Sequence, residues 1–236
     1  ALLGHGWGWH APGIQSATAV MAVTHHLNLS HGLAVSKLRE TVPDAKIGTV
    51  IVMQPVVDWE NDPAGSARLD ALSNRAFTDP ALLGTYPELL IDELSPFIQQ
   101  GDLELIQQPL DFFGLNHYTT MRARSAPESA LGVEILQPPP EVPQTIKGWE
   151  INPEMFYQQL LELKNRYGNL PIYITESGCA APDKLDAEGK VADPERVAYF
   201  RDYLRAAARA IEDGVNLKGY FAWSLMDNFE WAEGYT

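Results

Sequence analysis

The sequence predicts an α/β fold of parallel strands and outer helices, about half of a (β/α)8 TIM barrel, and three observations carry that expectation. Four short apolar runs read as strands: IGTVIVM from Ile47, DFFGLNHY from Asp111, PIYITE from Pro171 and GYFAWSL from Gly219. Helical stretches separate them, and strands that return to one sheet through helices pair in parallel. Each run also ends on polar or aromatic residues, Gln54, then Asn116 and Tyr118, then Glu176, then Trp223 and Asp227, and a barrel keeps its chemistry where its strands end. A doubly wound sheet would instead announce a nucleotide site by a glycine-rich turn after its first strand, and IGTVIVMQPVVDWE has none.

Taken in order, Ser16 opens a helix whose apolar residues Val20, Val23, Leu27, Val35 and Leu38 recur at mostly helical spacing, broken by Gly32 and ended before Pro43. The run from Ile47 to Met53 is β-branched and apolar without alternation, so it is expected buried on both faces. Helical stretches follow from about Ser66 to Phe77 and from Pro87 to Ile98, before the second strand, Asp111 to Tyr118. The region from Ser125 to Pro143 holds five of the 17 prolines and reads as an extended surface loop with room for a short hairpin. Helix returns from Pro153 to Arg166 and stops at Gly168; Pro171 opens the third strand. Asp193 then caps a long helix with Pro194 at its first position, Gly214 closes it, and GYFAWSL is the fourth strand.

Composition narrows the partners. With 17 Lys+Arg against 31 Asp+Glu the net charge is −14, which repels phosphate backbones and anionic membranes at long range and sets aside nucleic-acid and membrane binding. No apolar run approaches the roughly 18 residues of a membrane span, and ALLGHGWGWHAPG lacks the basic start and apolar stretch of a signal peptide. The expected place of work is cytoplasmic. Cys179 is the single cysteine, so no internal disulfide forms. The chain opens on Ala1 in an aromatic, glycine-rich loop and closes directly after WSLMDNFEWAEGYT, so both ends read as cut.

Among chemistry-bearing residues Glu176 is the sharpest, since Ser177 and Gly178 would turn the chain tightly and hold its carboxylate at the barrel mouth; the plain alternative is a strand meeting solvent. WSLMDNFEW crowds Trp223, Phe229 and Trp231 with Asp227 and Glu230, a mixture suited to sugar, because flat aromatic faces pack on pyranose C–H groups while carboxylates accept hydroxyl bonds. Burying all of these as core would leave ionised carboxylates costly to desolvate. His10, His25, His26 and His31 fall close together, yet neither HExxH nor paired CxxC spacing occurs, and adjacent His25 and His26 point to different helix faces, so no metal or cofactor is expected. GHGWGWHAPG lacks the Lys-Ser/Thr of a phosphate loop. The sequon Asn28-Leu29-Ser30 lies inside the first helix and reads as chance, and Cys179, with small neighbours and no nearby His, as a packed thiol.

Seven segments, HAPG, HHLNLSHG, NRAFTDP, DFFGLNHYTT, GWEINPE, YITESG and GYFAWSLMDNFEWAEGY, resemble those of the glycoside hydrolase family 1 β-glucosidases, in that family's order. The resemblance implies retaining hydrolysis of β-linked glycosides on a (β/α)8 barrel, with these four strands matching the fifth to eighth. Residues 1–236 would then be one partial catalytic domain, the C-terminal half of the barrel, and its partners would be a β-glycoside or oligosaccharide substrate and the missing N-terminal half. By the same resemblance Glu176 is the nucleophile, Tyr118 the phenol bonded to it and Asn116 a polar residue of the sugar site. Trp223, Glu230 and Trp231 are the floor and hydroxyl clamps of the pocket, and Trp149 is the aglycone platform.

Two departures stand out. Where the family has TENG, this chain has Thr175-Glu176-Ser177-Gly178, with Ser177 in place of an Asn that helps to place the loop. The family's TxNEP segment, whose Glu is the general acid/base, is absent, so the fragment alone is expected to be inactive. A 6-phospho-β-glycosidase would carry basic or hydroxyl residues after WSLMD, where acidic Glu230 stands instead. The non-enzyme alternative is a sugar-binding or scaffold remnant.

Overall fold

In the computed structural model, which describes every residue except 59, 232 and 236, the first long element is α1 (Ala17–Thr41). Its Ser16 cap accepts from the Ala19 amide at 3.2 Å. Gly32 does not break it. An ideal Cβ there would lie 2.0 Å from the Leu105 carbonyl oxygen, so the glycine lets α1 close onto α5 (Asp102–Ile106), a helix that periodicity does not reveal. The expected apolar face is also displaced, because Leu27 and Leu38 are 47% and 44% exposed while Thr24, His25 and Asn28 are buried. His25 and Asn28 can be buried there because both are bonded. His25 spans the Tyr86 hydroxyl and Asp102 at 2.9 Å each, and Asn28 donates to Ala76 O and to the Tyr86 oxygen.

The main sheet holds β1 (Gly48–Val52), β3 (Phe112–Asn116), β6 (Ile172–Ser177) and β7 (Leu217–Ala222), all parallel, in the order β1-β3-β6-β7. Side chains alternate between its faces. Met53, Phe113, Leu115, Ile172 and Ile174 pack against α6 (Pro153–Tyr167) and α7 (Pro194–Glu212) through Phe156, Leu160, Tyr199 and Tyr203. On the opposite face small residues sit beneath large ones. Gly48 lies under the Phe112 ring, Gly114 between Val50 and Thr175, and Gly219 beside Tyr173. Parallel strands with their helices on one face make half of a (β/α)8 barrel. β1 departs from the expectation of burial on both faces, since Val50 and Val52 are 52% and 54% exposed. It is an edge strand, and the face these valines share is the one the two helices do not cover.

Three further strands, β2 (Val56–Asp58), β4 (Met121–Ser125) and β5 (Val133–Leu136), form a second sheet in the order β2-β4-β5, with β4 and β5 antiparallel. Only the hairpin was foreshadowed, and it begins before the proline-rich loop. Asp62 ties this sheet to α2 (Pro63–Asp70), accepting from Gly65 N, Ser125 N and Ser125 Oγ. The helical run expected from Ser66 to Phe77 extends further at both ends, through a π-turn over Ala71–Arg75 and on into α3 (Ala76–Leu83). Of the stretch from Pro87 to Ile98 only α4 (Ile91–Leu94) is α-helical, flanked by 3-10 turns. α6 is capped by Asn152, as its side chain accepts from Met155 N at 3.1 Å. α7 is not capped by Asp193 in the way its sequence suggests. Capping needs an extended backbone, and Asp193 has φ 52° with its carboxylate turned to Arg196 at 2.9 Å.

Candidate active site

Register in the main sheet sets the site. Asn116 ends β3 opposite Glu176 near the end of β6, across an irregularity at Leu115 and Asn116. There Thr175 Oγ1 donates to Asn116 Oδ1 at 2.6 Å, and the His117 amide donates to Glu176 O at 2.9 Å. Tyr118, two residues past β3, donates its hydroxyl to Glu176 Oε2 at 2.5 Å. Burial pushes the Tyr118 phenol well above its ordinary range, and the bond to Glu176 and the charges of Glu176 and Glu230 push it the same way. Tyr118 is therefore a protonated donor throughout the neutral range. His117, fully buried, is pushed down to about 4 by burial, opposed by its bond to Gln159. It is neutral at pH 7.

Trp149 stands beside this pair, its ring edge-on to Tyr118 at 5.8 Å between centroids. Its position is fixed from behind. Glu150, 1% exposed, takes two bonds from Arg122 at 2.7 and 3.1 Å and one from Asn152 at 2.9 Å, while Thr119 Oγ1 donates to the Glu150 carbonyl. In front, the Thr145 hydroxyl accepts from the amides of Lys147 and Trp149.

Trp223 follows β7, and its amide donates to Ser177 O at 2.9 Å. Gly178 is required here: an ideal Cβ would lie 2.0 Å from the Trp223 carbonyl oxygen. Ser177 is fully buried with its hydroxyl 3.2 Å from that of Tyr199, so the residue that departs from the family pattern faces α7. Glu230 closes a bridge with Gly234 and lies near enough to Tyr118 for its charge to be felt. Trp231 stands apart, 76% exposed, with the ring of His10 as its neighbour at 6.1 Å. Among the described residues, then, Glu176, Tyr118, Asn116 and Trp149 converge, Trp223 is joined to them through Ser177 and Gly178, and Glu230 and Trp231 lie on the segment beyond.

Sequence reasoning missed the residues that hold this group. Gln54 reads in the sequence only as a strand end; in the structure it accepts from the amides of Tyr118 and Thr119, and Asn74 in turn grips the Gln54 backbone. The marker NRAFTDP gave the available signal. Its Asp79 is 2% exposed and takes bonds from Arg166, Tyr167 and Arg75, so the motif is scaffold. Cys179 is held up to about 11 mainly by burial and is a thiol at neutral pH. Among the described residues no three His, Cys, Asp or Glu side chains converge as a metal site.

The model of the family described as Glycosyl hydrolase family 1 matches residues 1–236. Beta-glucosidase A of Acetivibrio thermocellus is 41% identical over 250 residues, which take in 100% of this chain and 55% of that protein. A bifunctional beta-D-glucosidase/beta-D-fucosidase of Bifidobacterium breve is 39% identical, with 100% and 55% covered. Among solved structures, a beta-glucosidase from Thermotoga maritima in complex with castanospermine superposes with a TM-score of 0.89 at 37% identity, over 99% of this chain and 53% of that one. The chain thus spans about half the length of the curated relatives it matches.

Proposed function

Because this chain belongs to glycosyl hydrolase family 1, we propose that it furnishes the nucleophile side of a retaining β-glucosidase. The observation that carries the reading is the Tyr118–Glu176 hydrogen bond at the C-terminal ends of two paired barrel strands. In a retaining glycosidase one carboxylate attacks the anomeric carbon while a second carboxylic acid, roughly 5–5.5 Å away, protonates the leaving oxygen. Glu176 takes the first role. With Oε2 occupied by Tyr118, Oε1 forms the bond to the anomeric carbon as the bond to the leaving oxygen breaks, giving a glycosyl ester on Glu176. Water, deprotonated by the same second carboxylate, then releases the sugar and restores Glu176.

That second carboxylate is proposed to come from a segment that supplies the other four barrel strands, in keeping with relatives nearly twice as long. Trp223 forms the floor under the sugar and Glu230 and Trp231 clamp its hydroxyls, which suits terminal β-linked glucose. A carboxylate at Glu230 would repel a 6-phosphate. Trp149, whose ring meets that of Tyr118, forms the platform for the leaving group.

Trapping tests the assignment. In the assembled barrel, a 2-fluoroglucoside with a good leaving group should label one carboxylate, and peptide mass spectrometry should place the label on Glu176. A label on Glu230, Asp227 or any other acid sinks the reading.

A further inference from the structure

Gln54 and Tyr118 occupy matching positions just past the ends of neighbouring strands. β1 and β3 pair Val52 with Asn116, and each residue lies two places further on. Past the ends of these strands the ladder no longer supplies partners for the Tyr118 and Thr119 amides. Gln54 Oε1 accepts from both, at 3.3 and 2.9 Å. Gln54 is itself gripped at both main-chain groups by one side chain: its amide donates to Asn74 Oδ1 at 3.1 Å, and its carbonyl accepts from Asn74 Nδ2 at 2.8 Å. Asn74 is 2% exposed, sits in the π-turn between α2 and α3, and has its remaining donor on Asp70 Oδ1 at 2.8 Å. A continuous set of hydrogen bonds thus runs from Asp70 through Asn74 and Gln54 to the backbone of Tyr118, whose hydroxyl holds Glu176.

We propose that Gln54, clamped by Asn74, is a positioning residue that fixes the backbone of Tyr118 and thereby keeps the phenol on Oε2 of Glu176; this rests on the reading of Glu176 as nucleophile. The physical need is angular. The phenol oxygen lies at the far end of a rigid side chain, so a small rotation of the Tyr118 backbone displaces it by more than a hydrogen bond tolerates. With the phenol displaced, Glu176 loses the contact that commits one oxygen and leaves the other for attack. A side-chain carbonyl that accepts two successive amides restrains that rotation more than a single bond would, and the two bonds from Asn74 fix the Gln54 main chain from which that side chain extends.

A double-mutant cycle in the assembled barrel separates positioning from plain support. The variants are Gln54→Met, Tyr118→Phe and the pair, assayed for kcat and KM on an aryl β-glucoside and for the rate of 2-fluoroglucoside trapping at Glu176. Gln54→Met should lower kcat and the trapping rate by about 5- to 20-fold with KM within about twofold. The pair should be no slower than Tyr118→Phe alone, because Gln54 has no route to the nucleophile once the phenol is gone. Losses that multiply in the pair, or a Gln54→Met enzyme at the wild-type rate, overturn the inference and leave the reading of Glu176 standing. A Tyr118→Phe enzyme at the wild-type rate removes Tyr118 from the machinery and the inference with it, whereas a trapping label away from Glu176 rejects the nucleophile itself. Should Gln54→Met fail to fold, amide hydrogen exchange on the unmodified protein decides. The Tyr118 and Thr119 amides should exchange as slowly as those of β3, and rapid exchange at both overturns the proposal.

Discussion

The two sides of the candidate site are built differently. Glu176, Tyr118, Asn116 and Trp149 are held by bonds from other elements: Tyr118 by Gln54 after β1, Asn116 by Thr175 on β6, and the Trp149 segment by Arg122 on β4 through Glu150. The segment after β7 is bonded largely to itself. Ser224 Oγ donates to Met226 O, Asn228 reaches Glu230, and Glu230 pairs with Gly234. It is also open, with Met226, Trp231 and Tyr235 all more than three-quarters exposed. The carboxylate proposed as nucleophile is thus held in place by the parallel sheet, while the groups proposed as sugar clamps lie on a segment open to solvent. Accurate placement matters most where a bond forms, and the long-range contacts fall on the side proposed to form it.

Three substitutions and a pH scan would break or sharpen this contrast. The largest effect belongs to Glu176→Gln, which should reduce turnover in the assembled barrel by at least about 10³-fold, because the carboxamide keeps shape but is a poor nucleophile. Sugar affinity and melting temperature should stay close to wild type. A variant that retains a tenth of wild-type turnover would mean that the preorganised side is not the chemical one.

Next comes Arg122→Met. It leaves Glu150, 1% exposed, without its guanidinium and with the weaker Asn152 amide on its carboxylate, and breaking a buried pair costs about 3–5 kcal/mol. The check is denaturant unfolding with Glu150→Gln added as the second change. The double variant should regain most of the loss, and a single variant as stable as wild type would show that the Trp149 side is not held by this pair.

The strand ends were legible in the sequence, and the supports behind them were not. Ile47–Met53 and Pro171–Glu176 announce themselves by runs rich in β-branched residues, and in a parallel barrel the residue that ends a strand is the residue at the mouth. That logic reached Glu176, Asn116 and Tyr118 directly. It could not reach β4, because MRARS carries two arginines and reads as surface until Glu150, 28 residues away, is known to pair with the first. β2 is too short, at three residues, to show a period. The buried face of α1 was misread for a related reason: His25 is tolerable in the core only because Tyr86 and Asp102 lie 61 and 77 residues further on. Partners distant in sequence leave no local signal.

A pH scan probes the held side through His117, between Asn116 and Tyr118. Its folded value is lowered to about 4 by burial, so the unfolded chain binds a proton first as pH falls. Stability from this group is therefore full above its ordinary pKa near 6.5 and is lost progressively down to about pH 4, to a total of about 3 kcal/mol. Asp111, held near 2 by the Ile47 amide and by Arg39, loses its contribution only below the ordinary carboxylate range, so the two windows separate. Urea midpoints between pH 7 and 4.5 should fall for wild type and fall less for His117→Leu. Equal slopes would remove His117 as the cause.

Trp223→Ala tests the open side and carries the smallest effect. The ring is 44% exposed and follows β7 with its backbone, not its indole, bonded to Ser177, so its loss should scarcely move the melting temperature. In the assembled barrel a sugar would cover that exposed face, and removing the platform should weaken glycoside binding by about 1.5–3 kcal/mol. The split between the two readouts is the point of the experiment. On the held side a substitution such as Arg122→Met should change stability, whereas on the open side the indole's apolar face is still in water and gains only when ligand arrives. Titration calorimetry with a non-hydrolysable glucoside, run beside thermal melts of the same samples, measures both. If Trp223→Ala lowers the melting temperature as much as it weakens binding, the segment after β7 is part of the folded core and the contrast between the two sides fails.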